Sequence, residues 1–80
     1  MEVKLLAFGI AKDILGGATA DITLSNQPTV GDLRNELTNR YPELKKLRSF
    51  MIAVNNNYAQ DELVLTTTDE IAIIPPVSGG

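Results

Sequence analysis

The 80-residue sequence contains no cysteine and no histidine. The chain therefore has no disulfide, no thiol nucleophile, no zinc finger and no Ser-His-Asp triad. The paired carboxylates Asp61-Glu62 and Asp69-Glu70 are sequence neighbours whose side chains are expected to diverge. The glycines do not fit a phosphate-binding loop. We therefore predict no catalytic, metal or cofactor site among the side chains of the domain.

Aromatic residues and basic clusters are also scarce. There are two Phe, two Tyr and no Trp, and seven Lys and Arg against ten Asp and Glu give a net charge of −3. This composition argues against a nucleic-acid partner and suits a basic protein partner. No apolar run reaches membrane-spanning length and no signal-peptide pattern opens the chain. We therefore expect no membrane contact and a cytoplasmic location.

The sequence does contain the pattern of one small domain. Glu2 to Ile10 reads as a strand with apolar residues on both faces, which is typical of a central strand. Ala20 to Leu24 alternates as a half-buried strand and is predicted to form a hairpin with the first. Ala11 to Gly17 is predicted to be a connection that ends in a Gly16-Gly17 turn.

A helix is predicted to follow. Thr29 is a good N-cap and Asp32 stands three residues later, where its carboxylate can bind the N-cap amide. Pro42 stops the helix, and Glu43 to Leu47 is predicted as a second short turn. The apolar stripe of the helix consists of Val30, Leu33, Leu37 and Tyr41.

The second half of the chain returns to strands. Phe50 to Val54 is a strand, Asn55 to Asn57 a turn, and Tyr58 begins a short strand that leads into a loop. Glu70 to Ile74 is the last strand, ended by Pro75. The order predicts an α+β fold, with a mixed sheet of four to five strands and one main helix packed on one face.

The sheet face opposite this helix is predicted to carry apolar residues. Alternation places Leu6, Phe8 and Ile74 there, and Tyr58 is close enough in the pattern to join them. If these residues cluster, the patch marks a partner site. The alternative is that the loops 11–17 and 59–66 cover some of them.

The last six residues, Pro75-Pro76-Val77-Ser78-Gly79-Gly80, are called the tail below. The prolines keep it out of helices and central strands, and the glycines make its end thin. Six extended residues span about 20 Å, enough to carry a carboxylate into another protein. We predict a domain over residues 1–74 and a flexible tail over 75–80. The alternative is an ordinary floppy chain end or a cloning remnant.

The chemical group that remains is the terminal carboxylate of Gly80, an anion and weak oxygen nucleophile at neutral pH. We expect the ATP of another protein to activate it as an acyl-adenylate. A sulfur nucleophile would then displace the nucleotide and leave a C-terminal thiocarboxylate. In this scheme the chain is a carrier, and catalysis belongs to its partners.

Three stretches carry a family resemblance. They are the ending Ile73 to Gly80 with Asp69-Glu70-Ile71-Ala72 before it, the opening Val3 to Gly16, and Ala53-Val54-Asn55. Together they resemble the small subunit of molybdopterin synthase, within the ubiquitin-like β-grasp sulfur carriers, nearly from end to end. The Pro-Pro-Val-Ser-Gly-Gly tail is the most specific part, because Gly-Gly alone is shared by all ubiquitin-like sulfur carriers and modifiers.

The resemblance implies a β-grasp (ubiquitin-like) fold and a non-catalytic sulfur carrier. It implies activation by a ubiquitin-activating-type adenylyltransferase that uses ATP-Mg, a sulfur donor protein, and insertion of the tail into the large subunit of the synthase. There two sulfurs from successive small subunits make the dithiolene of molybdopterin from cyclic pyranopterin monophosphate, in a heterotetramer of two small and two large subunits. The implied reacting end is Gly80 with Gly79, and the implied partner contacts are Phe8, Tyr58, Ile74, Pro75, Pro76, Val77 and Ser78.

Other functions share the same features. A sulfur carrier for thiamin or tRNA thiolation, or a ubiquitin-like modifier joined to lysines, would use the same adenylation step, so the tail cannot separate them. A plain interaction domain is a third possibility. A free-standing enzyme is the least favoured, because the usual catalytic groups are missing.

Overall fold

The fold is a five-stranded mixed sheet with helices packed on one face. The computed structural model describes residues 1–46 and 50–75. The strand order is β2-β1-β5-β3-β4, with β1 and β5 parallel at the centre and the other pairs antiparallel. The predicted α+β sheet with one main helix is confirmed. The elements are β1 Glu2–Ala7, α1 Gly9–Leu15, β2 Thr19–Thr23, α2 Val30–Arg40, a 3₁₀ helix Pro42–Lys46, β3 Met51–Val54, β4 Asn57–Tyr58 and β5 Ile71–Ile74.

The main helix α2 begins where the capping signal places it. The Asp32 amide donates to Thr29 Oγ1 at 3.2 Å, and the Thr29 amide donates to Asp32 Oδ2 at 2.9 Å. These reciprocal bonds form the predicted capping box. Three residues of the predicted stripe are fully buried and the fourth partly so: Val30, Leu33, Leu37 and Tyr41.

The first helix, α1, corrects one prediction. Residues 11–17 were predicted to be a connection, and the strand before them to continue to Ile10. Instead β1 ends at Ala7 and α1 runs over Gly9–Leu15. The cause is packing: Ala11 is fully buried, and Ile14 and Leu15 pack partly buried against the same core. The Gly16-Gly17 signal does end this helix, since Gly16 adopts φ +84° and both amides donate to the Lys12 carbonyl at 3.0 Å.

The core lies between one sheet face and the helices. Alternate residues of the strands point to it, as period-two side-chain geometry requires. Helix α2 covers this face with its buried stripe. Among residues 1–46 and 50–75, no helix residue lines the depression on the opposite, outer face. The strand residues buried in the core are Val3, Leu5, Ala7, Ile22, Ile52, Val54, Ile71 and Ile73.

The loop before β5 lies along the first turn of α2. The Val30 and Gly31 amides donate to the Leu63 and Asp61 carbonyls at 2.9 and 3.0 Å. The Arg34 guanidinium donates to Asp61 Oδ1 at 3.2 Å. The two backbone bonds satisfy helix amides that have no partner within the helix. Together with the Arg34 bond, they keep the loop on the helix side of the sheet.

A small polar network joins the β3–β4 turn to the start of β5. Asn55 and Asn56 have φ of 54° and 71°, in agreement with the predicted asparagine turn. The Asn55 amide group donates to Asp69 Oδ1 at 3.0 Å, and the Thr66 backbone N–H donates to Asp69 Oδ2 at 2.8 Å. Both bonds lower the pKa of Asp69 below its ordinary value, and the bond from the Thr66 backbone has the larger effect.

Candidate functional site

The outer face of the sheet is organised around a row of four residues on adjacent strands. Leu6 of β1 is paired with Ala72 of β5, Ala72 with Ala53 of β3, and Ala53 with Tyr58 of β4. The two alanines in the middle are small, and the residues at either end are large. The row is therefore low at its centre.

The result is an open depression of about 340 Å³, called the outer depression below. Its floor consists of the two alanines. Ile74, the last residue of β5, and Phe8, the first residue after β1, also line it. The lining residues are Leu6, Phe8, Ala53, Asn56, Tyr58, Glu70, Ala72 and Ile74.

The structure brings together all four residues that the sequence placed on this face, since Leu6, Phe8, Tyr58 and Ile74 line the outer depression. Phe8 is 52% exposed and Tyr58 is 68% exposed, whereas Ile74 is half-buried. No lining residue comes from 11–17 or 59–66, the two loops that the alternative prediction placed over this face. The predicted apolar patch is therefore present and open. Its role in partner binding stays a prediction.

One end of the outer depression is polar. Glu70 and Asn56 line it there. The Glu70 backbone N–H is held by Asn55 Oδ1 at 3.0 Å, so the polar network fixes the backbone from which the carboxylate projects. The surface thus offers apolar contact area, an aromatic ring and one exposed carboxylate.

The root of the tail lies beside this depression. Pro75 follows Ile74 on the central strand β5 and is half-buried. A Cβ added to Gly9, which has φ +56°, would stand 3.3 Å from Cγ of Pro75. Glycine at this position therefore suits the close approach of the two chain segments. Pro76, Val77, Ser78, Gly79 and Gly80 lie outside the described residues, and the roles predicted for them stay predictions.

Sequence reasoning missed part of this site. Ala53, Asn56 and Glu70 were not among the predicted contact residues, although strand alternation already separated Ala53 from its core neighbours Ile52 and Val54. The depression depends on register between strands that are distant in sequence, and the sequence carries no local signal for that register.

Within residues 1–46 and 50–75, no cluster of three or more acidic side chains is placed to hold a metal ion. Over the same residues, no helix combines the length and the apolar character needed to cross a membrane.

Comparison with solved structures defines the class of fold. The crystal structure of SAMP1 from Haloferax volcanii superposes with a TM-score of 0.83 and covers 100% of both chains, at 24% identity. This likeness concerns the fold alone, and it confirms the predicted β-grasp, ubiquitin-like architecture.

The family follows from the sequence comparison. The pattern of the ThiS family matches residues 5–80, and the chain belongs to that family. The molybdopterin synthase sulfur carrier subunit of Arabidopsis thaliana is 33% identical over 100% of this chain and 84% of its own length. The human protein of the same description is 36% identical over 99% of this chain and 94% of its own length. The predicted resemblance is confirmed.

Two further solved structures bear on function. The small archaeal modifier protein 1 of Methanosarcina acetivorans is 32% identical with a TM-score of 0.78, covering 99% of this chain and 96% of its own. A chain of the complex of subunits 1 and 2 of molybdopterin-converting factor from Helicobacter pylori is 26% identical with a TM-score of 0.66, covering 100% of both chains.

Proposed function

We propose that the chain is the sulfur carrier subunit of a molybdopterin synthase. The observation that carries this proposal is the full-length similarity to curated sulfur carrier subunits, at 33% and 36% identity in the two relatives described above. The β-grasp fold and the open apolar face beside the root of the tail agree with it. The chain would act in the cytoplasm and would bind no cofactor of its own.

In the proposed reaction the acting group is the carboxylate of Gly80. Its oxygen attacks the α-phosphorus of ATP held with Mg²⁺ by a ubiquitin-activating-type adenylyltransferase, and pyrophosphate leaves. The outer sulfur of a donor protein's persulfide then attacks the acyl carbon and AMP leaves, which gives an acyl disulfide. A thiol reductant cleaves the S–S bond of this intermediate, and the thiocarboxylate is released. The domain supplies no catalytic side chain; it carries the sulfur and presents the tail.

The proposed partner at the next step is the large subunit of the synthase. A solved complex of the two subunits exists for the relative from Helicobacter pylori. In our proposal Phe8, Tyr58 and Ile74 seat this chain on the large subunit while Pro75 leads the tail into the partner's active site. There the sulfurs of two successive carriers build the dithiolene on cyclic pyranopterin monophosphate.

Intact mass measurement tests the first step. The chain is mixed with the adenylyltransferase from the same genome, ATP-Mg and a sulfur donor. We expect one oxygen to be replaced by one sulfur at the C-terminus. A variant lacking Gly80 and a variant extended by one residue serve as controls and should remain unmodified, with unchanged thermal unfolding. Sulfur incorporation by the extended variant would overturn the proposal.

Adding the large subunit and the pterin precursor tests the second step. Formation of molybdopterin supports the proposed pathway. A thiocarboxylated chain that yields no molybdopterin with an active large subunit points to another sulfur pathway, such as thiamin or tRNA thiolation.

A second candidate function is protein modification. It is favoured by one observation, the 32% identity with the archaeal modifier protein. A modifier would form isopeptide bonds between Gly80 and lysines of other proteins. Mass spectrometry of trypsin-digested cell extracts would show target lysines that carry the C-terminal peptide 49–80, because Arg48 is the last tryptic site in the sequence. The absence of such conjugates would leave the carrier function alone.

A further inference from the structure

The outer depression has a mixed chemical character. Its floor is Ala53 and Ala72, its apolar walls include Leu6 and the exposed Tyr58 ring, and Glu70 lies at one end. Ala72 and Glu70 are two residues apart on one side of the strand, which separates them by roughly 7 Å. An occupant that fits this lining combines an apolar stem with a polar head.

The carboxylate of Glu70 is available to such an occupant. Within residues 1–46 and 50–75, the ion pair that forms is Arg34–Asp61, and Glu70 has no cationic partner. Lys4 borders Glu70 on the neighbouring surface without pairing with it. The adjacent carboxylate of Asp69 is already engaged by Thr66 and Asn55.

Docking a protein over the depression would remove water from Glu70. A carboxylate that loses water without gaining a partner is strongly disfavoured. A purely apolar side chain in the depression would leave the Glu70 carboxylate without water and without a hydrogen-bond partner. The net charge of −3 also favours a partner surface that is positive at this point.

We propose that the protein partner that docks on the outer face inserts an arginine side chain into the outer depression. Its methylene stem lies over Ala53 and Ala72, and its guanidinium contacts the Tyr58 ring and pairs with Glu70. Arginine fits better than lysine because its planar guanidinium stacks on aromatic rings and also forms bidentate hydrogen bonds with carboxylates. This inference rests on the proposed function, since it specifies how the large subunit contacts this chain.

Calorimetric titration with the large subunit of the synthase from the same genome tests the inference. Glu70→Gln keeps the shape and removes the charge. We expect it to weaken binding by about 30-fold or more, since it leaves the buried guanidinium unpaired, and to reduce the salt dependence of binding. Glu62→Gln, an exposed carboxylate outside the depression, is the matched control and should bind like the unchanged chain. Ala72→Leu fills the depression and should also weaken binding.

The outcomes separate this inference from the proposed function. If Glu70→Gln or Ala72→Leu binds like the unchanged chain while Tyr58→Ser loses affinity, the face docks but the arginine inference is wrong. If the unchanged chain does not bind the large subunit, the proposed function fails and the inference with it. Thermal unfolding of each variant checks that the fold is retained.

A double-mutant cycle identifies the arginine. Each surface arginine of the large subunit is replaced by alanine and titrated against the unchanged chain and Glu70→Gln. For the inserted arginine, we expect the combined loss to be much smaller than the product of the two single losses. If, for every arginine, the loss of affinity in the double mutant equals the product of the two single losses, the inference is overturned.

Discussion

Asp69 shows how much one side chain can organise. Its two carboxylate oxygens accept from the Thr66 backbone and the Asn55 side chain, and Asn55 in turn accepts from the Glu70 backbone. One carboxylate therefore ties the loop, the β3–β4 turn and the start of β5 together. The same residues hold the backbone of Glu70 at the edge of the outer depression.

Replacing Asp69 with Asn should destabilise the domain. Asparagine has one side-chain oxygen where aspartate has two, so one accepted bond is lost and an amide faces the amide of Asn55. We expect a loss of about 1 kcal/mol at neutral pH, measured by urea unfolding. Asp13→Asn on α1 serves as the control and should change stability by less than about 0.5 kcal/mol.

The effect of Asp69→Asn should depend on pH. The pKa of Asp69 is lowered in the folded state, so its charged form contributes stability above the unfolded-state pKa of about 3.9. That contribution falls away as the pH drops through the folded pKa. The stability difference between the unchanged chain and the variant should therefore shrink when unfolding is repeated at about pH 2. A difference that stays constant from neutral pH to this acid limit would contradict the assigned cause.

Single residues differ in how far their roles can be predicted from sequence. Thr29 and Asp32 were predicted correctly because they bond to each other across three residues. The Asn55 turn was predicted correctly because asparagine tolerates left-handed backbone. Glu70 and Ala53 gain their significance from strands that are distant in sequence. No local rule gives that register, so the shape of the depression became visible only in the folded chain.

At the scale of elements, the start of α2 is the feature most open to a direct test. Thr29→Ala removes the acceptor for the Asp32 amide and leaves that amide without its cap. We expect a loss of about 1 kcal/mol, which corresponds to a lower melting temperature by about 4–8 °C for a domain of this size.

Thr38→Ala within the same helix is the matched control. Its hydroxyl donates to the Asn35 carbonyl, so no helix-end amide depends on it. Alanine also has the higher helix propensity, and the control should be neutral or slightly stabilising. Equal losses in both variants would mean that the capping box does not stabilise α2.

The two helices differ in predictability for a physical reason. Helix α2 has a cap, a long apolar stripe and a proline after its end, all of which are local signals. Helix α1 has seven residues, and no side chain caps its start at Phe8. It forms because Ala11 packs in the hydrophobic core and Ile14 packs against it. A helix this short is stable only through such packing.

The whole molecule should open from its edges. β1 and β5 are flanked by strands on both sides, whereas β2 and β4 lie at the edges of the sheet. In amide hydrogen exchange followed by NMR, we expect the slowest exchange in β1 and β5, at the free energy of global unfolding, and faster exchange in β4.

Ile52→Val provides the control for that measurement. It removes one methylene from a fully buried side chain and should cost about 0.5–1.5 kcal/mol. If β1 and β5 exchange by global unfolding, their protection falls by the same factor. Slower exchange in β4 than in β5, or unequal responses of β1 and β5, would show that the centre of the sheet is not the last part to open.

At this scale the sequence was most informative. Alternation, one capped helix and the returning strands predicted the α+β sheet, and the family resemblance predicted its β-grasp topology. What alternation could not give is the parallel pairing of the first and last strands, because their contact joins the two ends of the domain.

That parallel pairing has a mechanical consequence. The chain enters β1 at one end of the β1–β5 pair and leaves β5 at the other end, towards Pro75. A force that draws the tail away from the N-terminus therefore loads the hydrogen bonds between these strands in shear, all together, instead of opening them one by one. Parallel bonds of this kind must break nearly at once for β5 to be extracted, so unfolding under tension is slow.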